Sequence, residues 1–156
     1  MLIESLFPSI QHVEVPGSLC ARISTSELAV QSESMKIVNR YWNDPPGPNL
    51  GTIFHSGRRM LNLRRLTFCR QLPHPDGSDW LEGMLLLAPM LEVLELGRVF
   101  TKLDEVIGLL GATPKLRMLS YFSTFDHTVP LHSGERRSGW IACVEGRRVV
   151  IRREIS

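Results

Sequence analysis

The chain has 156 residues, 43% hydrophobic and 22% charged, with a formal net charge of +2. That length suits one domain or a short run of stacked repeats, and the apolar content excludes a wholly disordered chain. The longest apolar stretch, Met84–Met90, is broken by Pro89 and falls far short of the roughly 20 residues needed to span a bilayer.

The first residues, MLIESLFPSI, carry Glu4 where a signal peptide would be positive, and their apolar run is too short for one. No Asn-x-Ser/Thr glycosylation acceptor occurs. Cys20, Cys69 and Cys143 are odd in number, widely spaced and without a CxxC pair. Reduced thiols in an intracellular protein, cytoplasmic or nuclear, are therefore expected rather than a disulfide framework. No ligand pairs suited to a tetrahedral zinc are present, and no metal or cofactor is expected.

In chain order, a worn repeat emerges. Ile10-Gln-His-Val13-Glu-Val15 reads apolar-x-x-apolar-x-apolar, and predicts a strand near 10–15. Met35-Lys-Ile-Val38-Asn-Arg40 is a degenerate copy, with a strand near 35–40. After a Pro/Gly/Ser/Asp-rich stretch at 43–57, Leu63-Arg-Arg-Leu66-Thr-Phe68 predicts a third strand over 63–68. Asp79 and Glu82 then open a helix whose apolar face is Leu81, Met84, Leu85 and Ala88, closed by Pro89. Leu91-Glu-Val-Leu94-Glu-Leu96 is the fourth strand, 91–96. Thr101 and Asp104 make a capping box for a second helix with Leu103, Val106, Ile107 and Leu110 on one face and Gly111 as its stop. Leu116-Arg-Met-Leu119-Ser-Tyr121 is the fifth strand, 116–121.

Leu63 and Leu91 are 28 residues apart and Leu91 and Leu116 are 25 apart, while Pro8, Pro89 and Pro114 each sit two residues ahead of a string. A unit of this size cannot bury its apolar face alone, so neighbours must stack. The expected architecture is an α/β solenoid, short and leucine-rich-repeat-like. Its parallel strands form a concave face, with helices or loops on the convex side. Units occupy 1–122. Residues 123–139 form a loop, and 140–151 form either a further repeat strand or a β-hairpin cap with a turn at Glu145-Gly146.

LLLAPMLEVLELGRVF and LLGATPKLRMLSYF resemble the leucine-rich repeats of F-box proteins, especially the divergent fungal sets, over about Leu6 to Phe122. The resemblance implies a protein-binding solenoid of the kind that forms the substrate-recognition part of an adaptor. The chain departs from the pattern at Ser18, Gln71, Val99 and Thr124, where the family places Asn or Cys, and no F-box segment is found. Recruitment to a ubiquitin ligase is therefore not carried over. The chain starts almost inside a repeat, which fits a piece of a longer protein.

Because side chains alternate along a strand, the concave face should carry His12, Glu14, Ile37, Asn39, Tyr41, Arg65, Thr67, Val93, Glu95, Met118, Ser120 and Phe122. Aromatic, Met and Arg anchors among isolated acids are the composition of a protein interface. The expected partner is another protein, with the chain monomeric or part of a larger complex. Leu94 and Leu119 should be intolerant of alanine and Glu95 tolerant.

Arg58, Arg59, Arg64, Arg65 and Arg70 form one basic cluster, and Arg136, Arg137, Arg147, Arg148, Arg152 and Arg153 another. Adjacent arginines on a strand point to different faces and aromatics for stacking are few, so nucleic acid is not the expected partner, although a basic nucleic-acid-binding module is the alternative. A truncated repeat without independent function is a further alternative.

Catalysis is not expected. No nucleophile elbow, H-E-x-x-H or phosphate-binding loop occurs. Cys143 with His132 and Asp126 makes a nominal nucleophilic set of a kind any chain this long offers, and His55-Ser-Gly and His132-Ser-Gly read as equivalent loop positions.

Overall fold

A computed structural model describes residues 10–16, 19, 22–23, 25–38, 59–69, 86–99, 113–123, 135–137 and 139–154. Five strands run parallel and side by side in chain order: β1 (His12–Pro16), β2 (Ser34–Val38), β3 (Arg65–Phe68), β4 (Val93–Val99) and β5 (Met118–Ser123). Three antiparallel strands complete the sheet: β6 (Glu135–Arg137), β7 (Trp140–Glu145) and β8 (Arg148–Arg153), in the order β1-β2-β3-β4-β5-β8-β7-β6. The protein is thus a mixed α/β chain built on one mixed sheet. Among the described residues, helix α1 (Glu27–Gln31) lies in the connection between β1 and β2. Every parallel pair is joined by a segment longer than the dozen residues such a crossover needs (17–33, 39–64, 69–92 and 100–117).

The strand register explains which residues form the core. Val13, Met35, Leu66, Leu94, Leu119 and Ile151 are cross-strand neighbours in one continuous row, and Val15, Ile37 and Phe68 form a second. Met35, Leu66, Leu94, Leu119 and Ile151 are almost wholly inaccessible. Three residues before Met35, Leu66, Leu94 and Leu119 lies another buried position: Ser32, Leu63, Leu91 and Leu116. Three before that come Ala29, Met60, Ala88 and Thr113, also buried. So each of the four units ending in β2 to β5 buries four side chains at matching places, and stacked neighbours supply the cover that no unit has alone.

The backbone at the strand starts is joined the same way in each unit. The carbonyls of Gln11, Glu33, Arg64 and Glu92 each accept from two successive N–H groups of the next unit, at 2.8–3.1 Å. Ahead of each strand, Leu63, Leu91 and Leu116 close tight turns onto the carbonyls of Met60, Ala88 and Thr113. Proline at 89 and 114 suits the second position of such turns.

Two expectations change here. In the second unit the repeat is Ser32-x-x-Met35-x-Ile37, not Met35-x-x-Val38-x-Arg40. Ser32 takes the place of the leading leucine, and its hydroxyl donates to the Leu28 carbonyl, which satisfies it where it is buried. Ile37 accordingly faces the core at 4% exposure and is not on the outer face. The second concerns residues 140–153, where, of the two readings left open, the antiparallel hairpin is the one formed, with its turn displaced. Its two-residue connection is Gly146-Arg147, one place later than the sequence pattern indicates, because Glu145 pairs with Arg148. Gly146 adopts φ +64, as two-residue hairpin turns require of their first residue. The helix expected over 79–88 is described only at its end, around Leu86–Leu87, and the helix expected from Thr101 to Gly111 lies outside the described residues.

Candidate protein-interaction face

Turning away from the core, the opposite side of the sheet carries two rows of side chains that follow from the register. One row is His12, Ser34, Arg65, Val93, Met118 and Arg152; the other is Glu14, Lys36, Thr67, Glu95, Ser120 and Val150. Phe122 and Arg148 pair beyond them at the far end of β5. Of the residues expected on this face, His12, Glu14, Arg65, Thr67, Val93, Glu95, Met118, Ser120 and Phe122 are brought together on one sheet surface. Tyr41 and Asn39 lie outside the described residues, as do Asp126, His132 and the two His-Ser-Gly peptides.

The second row is wired internally. Lys36 Nζ meets Glu14 Oε2 at 2.9 Å, and that hydrogen bond, followed by the Glu14 charge, raises the ammonium above its ordinary value. Thr67 Oγ1 donates to Glu95 Oε2 at 2.8 Å. Arg148 Nη2 donates to Glu95 Oε1 at 2.9 Å and to Ser120 Oγ at 2.7 Å. The guanidinium therefore reaches from β8 across β5 to β4. It also lies 5.7 Å from the centroid of the Phe122 ring, within cation–π range. Beneath it Ser120 is 1% exposed, so this serine is a covered support rather than a contact residue. Arg148 Nε is buried with no partner.

Phe122 remains 44% exposed on this face. Val93 and Met118 are half-buried neighbours between the exposed Arg65 and Arg152. A polar network with most of its hydrogen bonds made holds strand spacing and side-chain rotamers, while the aromatic and aliphatic groups beside it offer area for contact.

Two residues central to this network are absent from the sequence-derived face. Lys36 is missed because the second repeat is read three places out of phase, an odd shift that exchanges the two faces of the strand. The alternation of buried Met35 and Ile37 with exposed Lys36 is the signal that would find it. Arg148 is missed because it belongs to the antiparallel hairpin, and nothing in the parallel repeat pattern brings it beside Glu95.

The hairpin is anchored at its other end too. Arg153 donates through Nη1 to the Pro114 carbonyl and through Nη2 to the Thr113 carbonyl, with its guanidinium 4.8 Å from the Trp140 ring centroid. Along the strand starts, Arg64 Nη1 meets Glu92 Oε1 at 2.8 Å. Among the described residues no group of three or more His, Cys, Asp or Glu is placed to hold a metal ion. No helix among them is long and apolar enough to cross a membrane. Comparisons with protein-family models, with curated proteins and with solved structures find no match for this chain.

Proposed function

We propose that this chain is a non-catalytic protein-interaction module that binds through the outer face of its parallel strands. The observation that carries the reading is the pairing, on one surface, of a braced polar row with a 44% exposed phenylalanine and half-buried Val93 and Met118. Rigid support under aromatic and aliphatic contact groups is what concentrates binding energy at protein interfaces.

The finer architecture proposed is a leucine-rich-repeat-like solenoid with these strands on its concave side. Four matching buried positions in each of the units ending in β2 to β5, and five strands stacked in chain order, support it. A place as the substrate-recognition part of an F-box-like adaptor rests on the sequence resemblance alone.

The test is capture of partners on wild-type protein beside a Val93→Glu/Phe122→Glu variant and an Arg147→Glu control at the hairpin turn. A partner kept by wild type and control, and lost by a variant whose melting is unchanged, supports the face. Equal retention on all three overturns it.

A further inference from the structure

The charges on the described residues are unequally satisfied. Glu14, Glu92 and Glu95 are each spent on a neighbouring cation: Lys36, Arg64 and Arg148. Arg65 and Arg117 are exposed and engage no acid among the described residues. Arg152 approaches Glu145 only at 4.0 Å, with the two side chains 63% and 61% exposed, a geometry that contributes little. Glu33, just ahead of β2, and Glu145 also lie outside those three pairs, but Arg65, Arg117 and Arg152 outnumber them, so the balance on this part of the molecule is positive. The positive charge surrounds the two half-buried apolar side chains, since Arg65, Val93, Met118 and Arg152 are consecutive cross-strand neighbours and Arg117 precedes Met118 at the rim.

We infer that this row receives an acidic segment of a partner protein, with one apolar side chain seated on Val93 and Met118 and carboxylates toward Arg65 and Arg152. The inference rests on the interaction-face reading and specifies the partner's chemistry. Three strand spacings separate β3 from β8, roughly 14 Å, which an extended peptide crossing the strands covers in about four residues. The matching pattern is an acid at the first and fifth positions with an aliphatic residue between. A protein segment is favoured over a phosphate backbone because the space between the cations is apolar and has no aromatic for a base to stack on.

The probe is the capped peptide Glu-Ser-Leu-Ser-Glu, titrated into the isotopically labelled full chain and followed by amide chemical shifts. Its counterpart is Lys-Ser-Leu-Ser-Lys. The expected result is shifts centred on Arg65, Val93, Met118 and Arg152, with the basic peptide binding at least about tenfold more weakly. Arg65→Glu/Arg152→Glu should reverse that preference while leaving the spectrum dispersed. Arg65→Gln and Arg152→Gln, which insert no acid, should each weaken the acidic probe in the same direction. Equal response to both peptides, or shifts confined to other strands, overturns the inference. So does a single-stranded oligonucleotide that shifts the same row more strongly and loses affinity steeply with salt. A captured partner that is lost with Val93→Glu/Phe122→Glu but indifferent to Arg65→Glu/Arg152→Glu leaves the interaction face standing and overturns the acidic assignment alone.

Discussion

Removing Glu95 should loosen the terminal hairpin as well as the face. Its carboxylate bridges Thr67 on β3 and Arg148 on β8, although β5 lies between β4 and β8. At 2.9 Å the charge pair is worth about 1.4 kcal/mol in a bulk-water dielectric and about 6 kcal/mol at an effective dielectric near 20. Exposures of 37% for Arg148 and 25% for Glu95 draw the value toward the lower figure, and desolvation and side-chain ordering subtract further. A net coupling of about 1 kcal/mol is expected. The assay is a double-mutant cycle of Glu95→Ala, Arg148→Ala and the double variant, read from urea midpoints with unchanged m-values. Losses of the Phe122 and Ser120 contacts occur in both arms that remove Arg148 and so cancel. Glu95→Ala alone should cost about 1–3 kcal/mol, since it leaves the guanidinium with Ser120 as its remaining acceptor. This replaces the tolerance that strand alternation by itself assigns to Glu95. Coupling within about 0.3 kcal/mol of zero would refute the bridge, because independent sites add to that precision.

Other outcomes follow from the same packing. Leu94→Ala and Leu119→Ala, both at 0% exposure, should each cost about 2–5 kcal/mol in chemical denaturation. The corrected phase of the second unit predicts that Ile37→Lys unfolds the chain at ordinary temperature, whereas Lys36→Gln is tolerated. The reverse ranking by thermal melting would restore the earlier phase. Burial pushes the Tyr121 hydroxyl up to about 12 from 10.0. Its stabilising contribution is complete below the unfolded value near 10 and is lost as pH climbs through the folded value. Tyr121→Phe should therefore be less sensitive than wild type to alkali between pH 10 and 12, by up to about 2–3 kcal/mol. Gly146→Ala meets no atom within 4 Å of the added carbon, so its cost is backbone strain alone, about 1–2 kcal/mol.

The recurring apolar spacing was enough to predict five strands and their parallel order, because units this small bury their leucines only against like neighbours. Strand β3 falls within the positions that Leu63 announces, while β4 and β5 begin within those announced by Leu91 and Leu116 and run two or three residues beyond them. Alternation along each strand was likewise enough to predict which side of β1, β3, β4 and β5 faces outward. The second unit escaped because a buried serine replaces its leading leucine, and a serine carries no apolar signal even when the Leu28 carbonyl satisfies its hydroxyl. What tertiary structure alone decided is the partnership across the sheet. Whether residues 140–153 continue the array or fold back is a contest between two pairings of similar local pattern. The antiparallel hairpin is held by Arg153 on the turn ahead of β5 and by Arg148 on Glu95. These contacts join residues 39–53 positions apart, and no local periodicity encodes them. The same distance in sequence hid Arg148 from the outer face, where it braces the residues that alternation had placed there.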